Sequence, residues 1–179
     1  MPIYSDVRQA IRKVAKAALL EYPTPLVKFS HDNGDEVPES YVVINILNIV
    51  QQGHHSTSTL VNDNGTLTFQ VAYEVMAQLS FIGSLSGDMS QSFNNNINNN
   101  PLTRLELSRN KLGFMRKSQI RRAPQRRETK WVEYHNLDVT FSYVVITDQL
   151  IDAVEGVVIA DETSEIPVII KIPESIIYP

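Results

Sequence analysis

The chain has 179 residues, 42% of them hydrophobic and 20% charged, the make-up of an ordinary globular protein and not of a fibrous or wholly disordered one. Cysteine is absent, which excludes a disulfide framework, a thiolate metal site and a cysteine nucleophile. The formal net charge of −4 conceals a segregation: residues 104–130 carry ten Lys and Arg against Glu106 and Glu128, a net of +8, while residues 148–179 carry seven Asp and Glu against Lys171, a net of −6. Such polarity points to a partner of complementary charge, another copy of the chain included. The length suits one domain with an appendage. No apolar run reaches about 18 residues, so no membrane span is expected. Arg8, Arg12, Lys13 and Lys16 interrupt any signal-peptide core, so none is expected either.

Residues 5–21 predict an amphipathic helix, with Val7, Ile11, Val14 and Ala18 on one stripe, Ser5 as its N-cap and Pro23 and Pro25 beyond its end. Leu26 to Phe29 is a short strand candidate. Tyr41–Gln52 is apolar on both alternating faces and reads as a strand buried on both sides. Gln51–Asn64, with Gly53, His54 and His55, reads as a polar loop or hairpin tip.

Residues 66–82 alternate most regularly, with Leu67, Phe69, Val71, Tyr73, Val75, Ala77, Leu79 and Phe81 on one face. Seventeen residues at about 3.3 Å each span roughly 55 Å, beyond the usual strand. Such a strand bends, or projects in a hairpin able to pair with a neighbouring copy. Met89, Phe93 and Ile97 recur every fourth residue and predict a helix through an Asn-rich stretch; the alternative is a low-complexity linker. Asn100 and Pro101 then suit the N-cap and first position of a second helical stretch, with Leu102, Leu105 and Leu112 along one side and Gly113 as its stop.

Phe114–Ile120 and Trp131–Ile146 are two further strand candidates, separated by a basic loop, Arg121–Arg127. Beyond Thr147 the pattern predicts an acidic C-terminal arm or hairpin, with strands near Val157–Ala160 and Ile166–Ile172 and a turn at Asp161–Ser164. The expected fold is therefore α+β: a mostly antiparallel sheet with two helices packed on one face. Residues 1–147 form the domain and 148–179 the arm.

No enzyme motif is present: there is no Gly-rich phosphate loop, no G-x-S-x-G and no H-E-x-x-H. Adjacent His54 and His55 would face opposite ways on a strand and make a poor shared metal site. His31 with Asp32, and His135 with Asp138, read as surface residues. No cofactor and no metal ligand set is expected. The basic segment leaves three readings open: a solvated face, a phosphate-binding surface for nucleic acid, or a docking surface for an acidic protein. Its candidate residues are Arg116, Lys117, Arg121, Arg122, Arg126 and Arg127. On the docking reading, Asp161 and Glu162 of the acidic arm are the complementary candidates, and Phe69 and Tyr73 on the long strand are candidate contacts.

The runs YVVINILNIVQQG (Tyr41–Gly53), FQVAYEVMAQLSFIG (Phe69–Gly83), LTRLELSRNKLGFMRKSQIRRAP (Leu102–Pro124) and ETKWVEYHNLDVTFSYVV (Glu128–Val145) together resemble the neck/tail terminator family of long-tailed bacteriophages. The corner Gly113-Phe114 and the aromatic strand ending at Tyr143 fit that layout. The resemblance covers about residues 1–147. It implies a structural virion protein of the neck/tail junction, assembled in the host cytoplasm: a ring, commonly hexameric, that caps the tail tube and joins it to the head. The implied partners are other copies of the chain, the tail-tube protein and the head-neck connector protein. DNA would pass through the lumen without specific binding. The family offers no catalytic residue to carry over. A nucleic-acid-binding module, or another adaptor or tube ring protein of the same virion, is the alternative.

Overall fold

The computed structural model describes residues 3–22, 26–31, 40–57, 66–127, 129–150, 157–159 and 168–170. Helix α1 spans Ile3–Ala18. It starts two residues ahead of Ser5, so Ser5 lies in the first turn and is not the N-cap. The helix forms as its spacing predicts, because Val7, Ala10, Ile11, Val14, Ala15, Ala17 and Ala18 give one continuous buried stripe.

Strands β1 (Leu26–Phe29), β2 (Tyr41–Thr57) and β3 (Thr66–Ile82) follow, then α2 (Ser86–Asn99) and α3 (Pro101–Arg109). Next come β4 (Leu112–Lys117), the short β5 (Arg121–Arg122), β6 (Gln125–Arg127) and β7 (Lys130–Val132), and finally the long β8 (Tyr134–Leu150), β9 (Val157–Ile159) and β10 (Val168–Ile170). The main sheet has the order β1-β2-β3-β8-β4, with β5 also on β8. β1 runs parallel to β2, whereas β4 and β5 run antiparallel to β8. The sheet is mixed and mostly antiparallel and the fold is α+β, as expected, with three helices in place of two.

The chain divides into two compact units, residues 1–53 with 72–144 and residues 54–71 with 145–179. In the first, Val75, Ala77, Leu79 and Phe81 of β3 and Leu137, Val139, Phe141 and Tyr143 of β8 are buried, as are Met89, Phe93 and Ile97 of α2. The Phe81 and Phe93 rings meet at 5.8 Å between centroids, within the range for a tilted aromatic pair. In the second unit β9 and β10 pair antiparallel. The expected turn at Asp161–Ser164 and the distal part of the acidic arm lie outside the described residues, as does the loop over residues 58–65.

Some expectations hold and others need correction. The Asn-rich stretch is helical, and Asn100 caps α3: its side chain accepts from the Leu102 amide at 2.8 Å, with Pro101 in the first turn. However, Leu102 and Leu105 are about half exposed, and α3 buries Thr103 and Leu107 instead. The helix stops at Arg109 by turning through Asn110 and Lys111 (φ 56°), and Gly113 lies within β4. A Cβ there would meet the Ser142 hydroxyl on β8, which would have to rotate away. Among the residues of β2 whose burial is described, only Tyr41, Val42 and Ile44 at its start are buried; Leu47 and Val50 are exposed. The strand expected over 131–146 is interrupted at Glu133, between β7 and β8.

Candidate functional site

The basic segment begins on β4. A register shift between Phe114 and Arg116 inserts Met115 as a bulge. Arg116 and Lys117 then point to opposite sides of the sheet. Arg116 faces away from the helices, where it donates to Glu74 Oε1 at 2.8 Å and to Thr140 Oγ1 at 3.3 Å. Lys117 turns to the helix side and donates to the Asn94 carbonyl of α2. Alternation along a strand requires this split.

Further polar groups share the helix-free face with Arg116. Glu74 also accepts from Gln52 at 3.1 Å, and Asp138 accepts from Gln78 at 3.1 Å and from Arg121. On β5, Arg122 grips Glu133 with two parallel bonds, Nε to Oε2 at 2.9 Å and Nη2 to Oε1 at 2.5 Å. The bond to Glu133, and then its charge, hold the Arg122 guanidinium above its ordinary pKa. The same bond holds the Glu133 carboxyl below the usual carboxylate range. Arg116, Arg121 and Arg122 thus already have carboxylate partners within the chain.

Beyond β5, strands β6 and β7 form a separate two-stranded hairpin. Gln125 pairs with Val132, Arg126 with Trp131 and Arg127 with Lys130. Cross-strand partners share a face, and faces alternate along each strand. Val132 packs against the buried cluster of Tyr41, Ile82 and Tyr134, while Arg127 donates to the Tyr134 hydroxyl and lies over its ring. These contacts define the inner face. Arg126 and Trp131 therefore occupy the outer face, and Trp131, the chain's one tryptophan, is 72% exposed. The structure so separates the six candidate cations into three ion-paired guanidiniums, one lysine tied to α2, one arginine anchoring the hairpin and Arg126 at its surface.

Phe69 and Tyr73 on β3 are both half-buried. Asp161 and Glu162 lie outside the described residues. Trp131 is a surface residue that the sequence reading does not single out. The signal for it is a lone tryptophan between Lys130 and Val132, next to the basic loop. His135 does not meet Asp138's partners; its Nδ1 lies 3.0 Å from Ser86 Oγ at the start of α2. Ser86 is wholly buried, so this pair fastens α2 to β8 and presents no nucleophile to a substrate. Among the described residues no helix is long and apolar enough to cross a membrane.

No curated protein matches the chain. Among solved structures, one similar chain is the sheath/tube terminator of an extracellular contractile injection system, PVC, in its extended state, at 15% identity and a TM-score of 0.43. The match covers 91% of the present chain and 65% of the other, so the chain spans just under two thirds of that relative's length. A family model described as phage neck terminator protein matches residues 2–166. That match takes in both the sheet and helices of the first unit and most of the remaining sequence, and by it the chain belongs to the phage neck terminator family.

Proposed function

We propose that the chain is the ring-forming subunit that ends the tail tube of a long-tailed phage and joins the tail to the neck, a structural role with no catalysis. Membership of the neck terminator family over residues 2–166 carries this reading. The open edge of β2 supports it. β1 covers only Tyr41–Ile44, and among the described residues no strand pairs with that side of β2 beyond Ile44. Asn45–Gln52 carries no charge and no proline, and it exposes Leu47 and Val50. Natural edges are usually blunted by charge, proline or a bulge, and an unblunted edge is a template for another chain. A second copy adding there makes a head-to-tail contact, which closes into a ring when the rotation per subunit allows.

In this reading residues 1–147 form the ring body and residues 148–179 an acidic docking arm. A sixfold ring would seat on the tail-tube protein below and the connector above, with DNA crossing the lumen unbound. Arg116, Lys117, Arg121 and Arg122 serve chiefly to hold the subunit together, and Arg126 remains for docking. Phe69 and Tyr73 act where the long strands meet a neighbour.

Loss and complementation test this role. Phage lacking this chain should yield heads and tails that stay unjoined, or tails of irregular length, under the electron microscope. Supplying the chain in trans should restore joined particles. Normal joined particles in its absence would overturn the reading.

A further inference from the structure

The hairpin of β6 and β7 is built as a presented surface. Its inner face is fixed by Val132 on the Tyr41–Ile82–Tyr134 cluster and by Arg127 on the Tyr134 hydroxyl. Its outer face sets Trp131, 72% exposed, directly across from Arg126. A tryptophan offers a large apolar surface that is favourable to bury, and tryptophan and arginine are the residue types most enriched at binding hot spots. A hairpin held by its base presents them with little ordering left to lose on binding.

We propose that this outer face is the docking site for a second copy of the chain, through that copy's acidic segment 148–179. The inference rests on the ring reading and names a contact within it.

Charge selects the occupant. Residues 125–132 carry Arg126, Arg127 and Lys130 against Glu128 alone. Among the described residues Arg126, the cation of the outer face, has no carboxylate partner, whereas Arg116, Arg121 and Arg122 do. Arg126, beside Trp131, is thus an outer-face cation left for a partner. The strongest negative segment in the same chain is 148–179, with a net of −6, and it also contains the apolar runs Val157–Ile159 and Val168–Ile170 that an exposed indole requires. Nucleic acid fits less well. Trp131 is the one exposed aromatic on this hairpin, and single-strand binding uses successive stacking platforms along a basic groove.

Trp131 being the chain's one tryptophan, the tryptophan emission of the intact protein, excited selectively, reports on this hairpin alone. In a concentration series followed by sedimentation, self-association should move the emission to the blue and protect it from acrylamide. Trp131→Ala should weaken association at least about 30-fold, the loss of one hot spot. Arg126→Glu should weaken it too, as should Asp161→Lys with Glu162→Lys and Glu165→Lys. Mixing those two charge-reversed chains should restore protection, a rescue that misfolded variants would not give. Rings in which Trp131 stays fully quenchable would overturn the inference and leave the terminator reading standing. So would protection by a random oligonucleotide in place of a second copy, or a chain that stays monomeric at every concentration. The terminator reading falls separately, on normal particles in phage lacking the chain.

Discussion

Gly83 shows how tightly single positions are constrained where β3 hands over to α2. Its φ of 106° lies in a region that L side chains rarely adopt, and a Cβ would sit 2.8 Å from Ser40 Cα, a backbone atom that cannot step aside. The turn is further held by the Gly83 amide on the Glu133 carbonyl at 3.0 Å and the Leu85 amide on Ser40 Oγ at 2.8 Å. Gly83→Ala should therefore cost about 1–3 kcal/mol in urea unfolding. The same corner carries a titration signature through the Glu133 side chain. Arg122 lowers that carboxyl's pKa, so the pair stabilises the fold above the ordinary carboxylate range. The benefit disappears as pH falls through the lowered value. The melting-temperature gap between the parent and Glu133→Gln should be present near neutrality and close at acid pH. Neither residue announces this in the sequence: Glu133 reads as an interior position of one strand over 131–146, and its partner Arg122 lies eleven residues away across an irregular segment.

At the scale of elements, α2 is the instructive case. Asn94, Asn95, Asn96, Asn98 and Asn99 are poor helix formers, each some tenths of a kcal/mol worse than alanine. Burial of Met89, Phe93 and Ile97 offsets this, and Phe93 is wholly buried against Phe81. Phe93→Ala should lower stability by about 3–5 kcal/mol, while Asn100→Ala, which removes only the cap of α3, should cost about 1 kcal/mol. Chemical denaturation of the two variants compares them directly. Asn96 also ties α2 to α1, since its amide donates to the Ala18 carbonyl at 2.9 Å and fills one of the acceptors left open at the end of α1. The four-residue apolar period makes α2 legible in the sequence, and Asn100-Pro101 makes the start of α3 legible, because both signals are local. The packing face of α3 is not legible in the same way. Leu102 and Leu105 outrank Thr103 in hydrophobicity, yet the helix turns Thr103 and Leu107 inward. That orientation is set by its contacts with α1, α2 and β4, which no local pattern records.

For the whole molecule, the uneven treatment of the two sheet edges is the property that bears on assembly. On one side β4 and β5 end the sheet with Arg116, Lys117, Arg121 and Arg122, the charged type of edge that resists further pairing. On the other, β1 is four residues long and leaves β2 uncovered from Asn45 onward among the described residues. The residue pattern here predicts a strand, correctly, but one buried on both sides, since a run of Val, Ile and Leu looks alike in a core and at an interface between copies. The exposed Leu47 and Val50 decide between those environments. A surface substitution of either should change the stability of the isolated chain by no more than about 0.5 kcal/mol. Val50→Lys should therefore melt with the parent but associate more weakly, because a lysine on an edge strand is one of the features that blunt pairing. Sedimentation of the variant beside the parent measures the loss, and complementation of phage lacking the chain measures its consequence for head-to-tail joining. Unchanged association of Val50→Lys, with unchanged joining, would remove the β2 edge from the ring contact and leave the hairpin at Trp131 as the surface to pursue.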